Sequence, residues 1–157
     1  MDDIASSLAN SVVCEDFHET EIADLAKVCK VIRFQPGEVM IVDDARERDI
    51  YFITSGRVEI NLSGPSASDH AGTIRKIGPG QVVGELGFID GLRRSTWVVA
   101  IDEIEAIRLS WEDFYKLTEN NGQIGYKFMY SLACVIAERL RDVTMTLSNL
   151  LDVRGRR

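Results

Sequence analysis

Residues 84–96 hold the densest chemistry of the chain. They read Gly84-Glu85-Leu86-Gly87-Phe88-Ile89-Asp90-Gly91-Leu92-Arg93-Arg94-Ser95-Thr96. The closely spaced glycines let backbone N–H groups approach a ligand. Leu86–Asp90 can form one helical turn, whose leading N–H groups attract anions. Arg94 can meet a phosphate with two parallel charged hydrogen bonds. Ser95 adds a hydroxyl donor beside it. Ionised Glu85 only accepts hydrogen bonds, so it repels a phosphate and suits a sugar hydroxyl. A carboxylate and a guanidinium nine positions apart in one glycine-rich loop fit a ligand with a hydroxyl and one anionic phosphate. They also fit a tight turn between strands with two solvated charges, and the glycine pattern alone does not separate the two.

Other chemistries find little support. The chain has two histidines, His18 and His70, and neither has a partner at metal-ligand spacing. That argues against a metalloenzyme built on a β-roll of the cupin type. Cys14, Cys29 and Cys134 have no nearby histidine, and no serine sits in a G-x-S-x-G elbow. Three widely spaced cysteines suit a reduced, cytoplasmic compartment and buried apolar roles better than a disulfide framework. The N-terminus lacks the charged and apolar regions of a secretory signal, and no apolar run approaches the roughly 20 residues of a membrane span. Eighteen Lys and Arg against 25 Asp and Glu leave a net charge of −7 over 157 residues. An acidic balance argues against broad nucleic-acid binding, which needs cations to displace phosphate counterions.

The elements that must position residues 84–96 follow from periodicity. Residues 1–19 show weak helical spacing. Ile22, Leu25, Ala26 and Cys29 recur at i, i+3, i+4, i+7 and predict an amphipathic helix over 20–29. Pro36-Gly37 then turns the chain. Short β-rich runs follow at Val31–Phe34, Val39–Val42, Ile50–Thr54, Arg57–Leu62, Thr73–Ile77, Thr96–Ile101 and Glu105–Leu109. Ser55-Gly56 is a hairpin signal, and Ser63–Gly72 a polar loop. Ser110 and Asp113 look like the cap of a helix over Trp111–Leu117. From about Gln123 to Leu151 one long helical pattern runs without proline. Its later apolar residues Ile136, Leu140, Val143, Leu147 and Leu150 step 4, 3, 4, 3, which is a heptad seam. The expected fold is mainly β with flanking helices: an antiparallel jelly-roll, or double-stranded β-helix, followed by a short and a long C-terminal helix. The expected organisation is a helical segment over 1–19, the β-roll over 20–121, and the long helix with a basic tail over 122–157. The seam predicts a homodimer through the long helix.

The stretch G-E-L-G-F-I-D-G-L-R-R-S-T-W-V-V-A resembles the phosphate-binding cassette of cyclic nucleotide-binding domains. These occur in the bacterial catabolite activator (CRP/FNR) regulators, in regulatory subunits of cAMP-dependent protein kinase and in nucleotide-gated channels. Asp49–Val58 resembles a strand pair of that family, and Arg108–Phe114 the strand that runs into its first C-terminal helix. The resemblance covers essentially residues 20–152. It implies a cyclic purine nucleotide, cAMP or cGMP with cAMP favoured, as ligand rather than a cofactor. It implies that Glu85 accepts the ribose 2′-OH and that Arg94 pairs with the cyclic phosphate. The N–H groups of Leu86, Gly87 and Ser95, with the Ser95 hydroxyl, would complete the cradle; Gly84 would allow the approach and Thr96 would follow. Aligning Arg139-Leu140 and Asn149-Leu150 with the family's long helix places Val143 and Thr144 near the base. Asp43-Asp44 stands where the family often has a Gly-Asp turn. The sequence stops at Arg157, where a helix-turn-helix follows in the catabolite activators. The expectation is therefore a free-standing sensor or part of a longer regulator. The function implied is a ligand-operated switch, not an enzyme. The alternatives are a DNA-binding regulator and a ligand-free dimerisation module.

Overall fold

The computed structural model describes residues 2–64 and 72–155, with side chains for 3–64 and 72–151. Helices α1 (Asp2–Ala9) and α2 (Glu19–Lys27) come first. Strands β1 (Lys30–Phe34), β2 (Val39–Ile41), β3 (Asp49–Ser55), β4 (Val58–Asn61), β5 (Thr73–Ile77) and β6 (Val82–Val83) follow. Helix α3 (Glu85–Asp90) separates them from β7 (Trp97–Ala100) and β8 (Ile104–Ser110), and α4 (Trp111–Asn120) and α5 (Gly122–Gly155) end the chain. Among the described residues the strands form two antiparallel four-stranded sheets, β1-β8-β3-β6 and β2-β7-β4-β5. The expected β-roll with a short and a long C-terminal helix is what the chain adopts.

Strand periodicity explains the layering. Successive side chains leave a strand on opposite faces. In β3, Ile50 and Phe52 enter the core under the helices, while Tyr51 and Ile53 face the core between the sheets. In β8, Ile107 and Leu109 take the helix side, and Ile104 and Ala106 the sheet side. A one-residue slip would exchange the two sets, so burial on both faces fixes the register.

The helix-side core is aromatic where the helices meet. Phe88 of α3, Phe114 of α4 and Phe128 of α5 are buried together, with ring centroids 4.6–5.8 Å apart. Such pairs contribute about 0.5–1.5 kcal/mol each beyond area burial. Asp113 N–H donates to Ser110 Oγ at 3.2 Å, so the expected cap opens α4. Helix α5 buries Ile124, Phe128 and Leu132, one face at spacing four. Its outer half reaches solvent, with Leu140 64%, Val143 52%, Leu147 54% and Leu150 60% exposed.

Three expectations change. Ser55-Gly56 does not join a hairpin: β3 pairs with β8 and β6, whereas β4 pairs with β5 and β7. The turn carries the chain from one sheet to the other, and Gly56 serves it with φ +78° where a Cβ would meet the Glu103 carbonyl at 2.3 Å. Cys14 and Cys29 are buried as expected, but Cys134 is exposed on the outer face of α5. Strand β6 was not anticipated, because Val82-Val83 is too short to show a period. The expected exposure of His70 and most of the polar loop, and the basic tail beyond Gly155, lie outside the described residues.

Candidate functional site

Strand β6 delivers the cassette. Val82 and Val83 pair with Phe52 and Tyr51 of β3, and the chain leaves the sheet at Gly84. Gly84 has φ +89°, and a Cβ there would stand 2.7 Å from the Asp49 carbonyl and 3.0 Å from Arg94 Nη1. Only glycine fits this left-handed, crowded position without strain. The first helical bond of α3 runs from Phe88 N–H to the Gly84 carbonyl at 3.1 Å. The N–H groups of Glu85, Leu86 and Gly87 therefore precede the helix ladder.

Arg94 lies under α3. It is 6% exposed, and its Nη1 donates to the Gly84 carbonyl at 2.8 Å and its Nη2 to the Asp49 carbonyl at 2.5 Å. A Cβ on Gly87 would meet Arg94 Nη1 at 3.0 Å, so that glycine makes room for the guanidinium. The Asp43-Asp44 turn braces the segment from outside. Asp44 adopts φ +63°, which Asp tolerates better than most residues, and its N–H donates to the Arg94 carbonyl at 2.9 Å. Arg94 N–H donates in turn to the Ala45 carbonyl at 2.9 Å. Burial lowers the Arg94 pKa, and the nearby Tyr51, Asp49, Glu47 and Glu85 oppose that shift. Burial, with the Asp49 charge, raises the Tyr51 pKa. The site thus holds a desolvated cation that gains from any added negative charge.

Glu85 opens α3 and is 8% exposed. Its Oε1 lies 2.7 Å from Arg139 Nη1 of α5, and Arg139 Nη2 donates to the Val82 carbonyl at 2.6 Å. The Glu85 contact is an ion pair by distance, but Nη1 is not aligned to donate and has no hydrogen-bond partner there. Arg139 was missed as a site residue. It sits four positions before Val143, hence on the same helical face, and that spacing was the available signal.

These groups border one cavity of about 330 Å³, within the roughly 300–1,000 Å³ of small-molecule sites. Gly84, Glu85, Leu86, Gly87, Arg94, Ser95, Thr96 and Val143 all line it, together with Arg139. Ile60 of β4, Ile74 and Arg75 of β5 and Val98 of β7 line it as well. Thr144 is the exception among the expected residues. It does not line the cavity of its own chain, and its hydroxyl donates to the Leu140 carbonyl at 2.8 Å. A threonine on a solvated helix face bonds the carbonyl four residues back for want of a better acceptor.

Arg48 ties the cassette to the helices. It donates to the Phe88 and Ile89 carbonyls at 2.8 and 3.2 Å, at the end of α3, and its guanidinium lies 3.9 Å from the Trp111 ring centre. The described residues hold no cluster of three or more His, Cys, Asp or Glu that could bind a metal ion, and no helix long and apolar enough to cross a membrane.

Comparison with known proteins agrees with this geometry. Over 158 aligned positions the chain is 27% identical to a CRP-like cAMP-activated global transcriptional regulator of Mycobacterium tuberculosis, covering 99% of this chain and 66% of that protein. The chain spans about 60–66% of the length of the curated relatives it matches. A cyclic nucleotide-binding domain from Methylobacillus flagellatus superposes with a TM-score of 0.77 at 23% identity, over 88% of this chain and 80% of that one. The Thermus thermophilus catabolite activator protein gives 0.72 at 22% identity, over 89% and 63%. At such identities these two structures speak for the fold alone. The family model of the cyclic nucleotide-binding domain matches residues 31–121, which include the whole cassette and both sheets except Lys30. With that match over more than half its length, the chain belongs to the cyclic nucleotide-binding domain family.

Proposed function

We propose that the domain binds a cyclic purine nucleotide, cAMP in preference to cGMP, and acts as a ligand-operated switch rather than an enzyme. The observation that carries this reading is the convergence of Arg94, Glu85 and Arg139 on one cavity. Arg94 would take the cyclic phosphate, whose charge offsets the desolvation of the guanidinium. The N–H groups that open α3 and the Ser95 hydroxyl would share it. Glu85 would accept the ribose 2′-OH.

Arg139 gives the switch its lever. It belongs to α5, while its partner Glu85 belongs to the cassette. A sugar hydroxyl arriving at Glu85 changes what Arg139 is paired with. Ligand then has a differential contact with two positions of α5, which is what a switch requires. The exposed seam of α5 is the surface through which two copies would pair, and a reduced cytoplasmic setting suits the free cysteines.

A second reading has one observation in its favour. The M. tuberculosis relative is a cAMP-activated transcriptional regulator, which makes this domain a candidate sensor for such an output. A DNA complex at physiological salt would support that. Titrating the protein with cAMP and with cGMP by calorimetry, and following hydrogen exchange along α5, tests the main reading. The expected result is one site per chain, tighter for cAMP, with exchange in α5 altered by ligand. No heat with either nucleotide would overturn it, and unaltered exchange would remove the switch.

A further inference from the structure

Arg48 holds the C-terminal end of α3 without reaching the cavity. It stands directly before β3 and is not among the described residues that line the cavity. Its Nη2 donates to the Phe88 and Ile89 carbonyls at 2.8 and 3.2 Å. The last carbonyls of a helix have no partner within it, and α3 is only six residues long. A helix this short does not stand on its own, so α3 depends on what grips its two ends. Gly91 follows α3 with φ +66°, and a Cβ there would stand 3.1 Å from Arg48 Cζ. Gly91 thus makes room for this guanidinium as Gly87 does for that of Arg94. The Arg48 guanidinium also lies 3.9 Å from the Trp111 ring centre, and Trp111 N–H donates to the Arg48 carbonyl at 3.0 Å. Arg48 Nε is buried with no hydrogen-bond partner among the described residues. An unmet buried donor is destabilising, and the chain accepts it where one side chain meets both α3 and α4.

We infer that Arg48 is a positioning residue: it fixes α3 from outside the cavity and so sets how tightly the cassette holds a nucleotide. This rests on the reading of the cavity as a cyclic nucleotide site. The link is α3 itself. Glu85 opens the helix and Arg94 bonds the Gly84 carbonyl that begins it, whereas Arg48 bonds the carbonyls that end it. A helix held at one end only can pivot, and a pivot at the last turn displaces Glu85 at the first. Coupling between two sites is reciprocal. If Arg48 strengthens the hold on a nucleotide, a nucleotide strengthens the hold of Arg48 on α3 by the same factor. Trp111 lies against that guanidinium and therefore registers the change. The effect falls on the phosphate and sugar, which cAMP and cGMP share, and not on the base. A residue that only supported the fold would change stability and leave the affinity of the folded protein alone.

The test titrates cAMP and cGMP by calorimetry into the wild-type chain, Arg48→Met and Arg48→Lys, with the thermal midpoint of each ligand-free protein measured alongside. Met keeps an unbranched apolar stem and loses the charge and the donors. Lys keeps the charge but not the planar fork that stacks on a ring and donates from fixed positions. Arg48→Met should weaken both nucleotides by about fivefold or more, the low end of coupling between sites, and leave their ratio unchanged. Arg48→Lys should recover part of the loss. With Trp97→Phe, Trp111 is the one tryptophan left in the chain. Saturating cAMP should then shift its emission with Arg48 in place and not with Arg48→Met. Equal affinity in the wild type and a folded Arg48→Met, whatever the midpoints, overturns the positioning role. So does a Trp111 emission that ignores saturating cAMP, a result that needs no change at Arg48. A cAMP:cGMP ratio altered by Arg48→Met contradicts it as well. If the wild type binds neither nucleotide, the reading of the cavity itself falls.

Discussion

Residues 84–94 bury their charges, with Glu85 8% and Arg94 6% exposed, whereas residues 140–151 leave their leucines in solvent at 54–64%. Each region inverts the ordinary rule that charges face water and large apolar side chains avoid it. The inversions have different sources. In the cassette, backbone carbonyls and a left-handed glycine hold the charges under cover, so the structure has already met most of their desolvation. In outer α5 the seam residues Leu140, Leu147 and Leu150 stay more than half exposed among the described residues. One region is prepared for a small anion and the other for a second apolar surface.

The sharpest way to break this comparison is at the seam. Wild-type protein should scatter light as a dimer, at twice the chain mass of 17.6 kDa, and the double variant Leu140→Glu, Leu147→Glu as a single chain. A wild type at 17.6 kDa would show that the seam has no partner copy. Next in size is the cassette glycine. Gly84→Ala places a methyl 2.7 Å from the Asp49 carbonyl at φ +89°. Strain of this kind costs about 1–3 kcal/mol, and it should lower the thermal midpoint and displace Arg94. Gly122→Ala meets nothing within 4 Å at the start of α5 and has no positive φ. It should stabilise by about 0.4–1 kcal/mol. Equal effects at the two glycines would erase the contrast between the regions.

A third prediction concerns the ion pair that fastens inner α5 to α2. Lys127 Nζ donates to Glu21 Oε2 at 2.6 Å. Burial alone would raise the Glu21 pKa, but the Lys127 hydrogen bond and the His18 backbone N–H hold it below the usual 4.5. A carboxyl with a depressed folded pKa stabilises fully above its unfolded value and loses that contribution as pH falls through the folded one. The stability gap between wild type and Glu21→Gln should therefore be constant above pH 4.5 and close below it. A gap that widens on acidification would mean that the pair does not set the Glu21 charge.

Much of this was legible in the sequence. The strand runs, the Ser110 cap and the cassette spacing report local periodicity and local backbone needs, and these carry over directly. Three features are set by contacts distant in the chain. The Ser55-Gly56 turn signals a reversal, but which strand pairs with which depends on the core facing each sheet. Arg139 reads as one charged residue among several on α5 until the fold brings it to Glu85, 54 positions earlier. Thr144 was placed at the base by alignment with the family's helix. Its orientation follows from rotation of α5 against the β-roll, which local spacing does not encode.

The central claim is that a cyclic nucleotide is anchored at the cassette by Arg94. Calorimetric titration of cAMP into wild type and Arg94→Ala, with folding checked by circular dichroism, tests it most directly. Truncating one partner of a desolvated charge pair costs about 2–5 kcal/mol, and each roughly 1.4 kcal/mol is a factor of ten in affinity. The account predicts that a folded Arg94→Ala protein binds cAMP about 30-fold more weakly or worse. Equal affinity in the two proteins would contradict it.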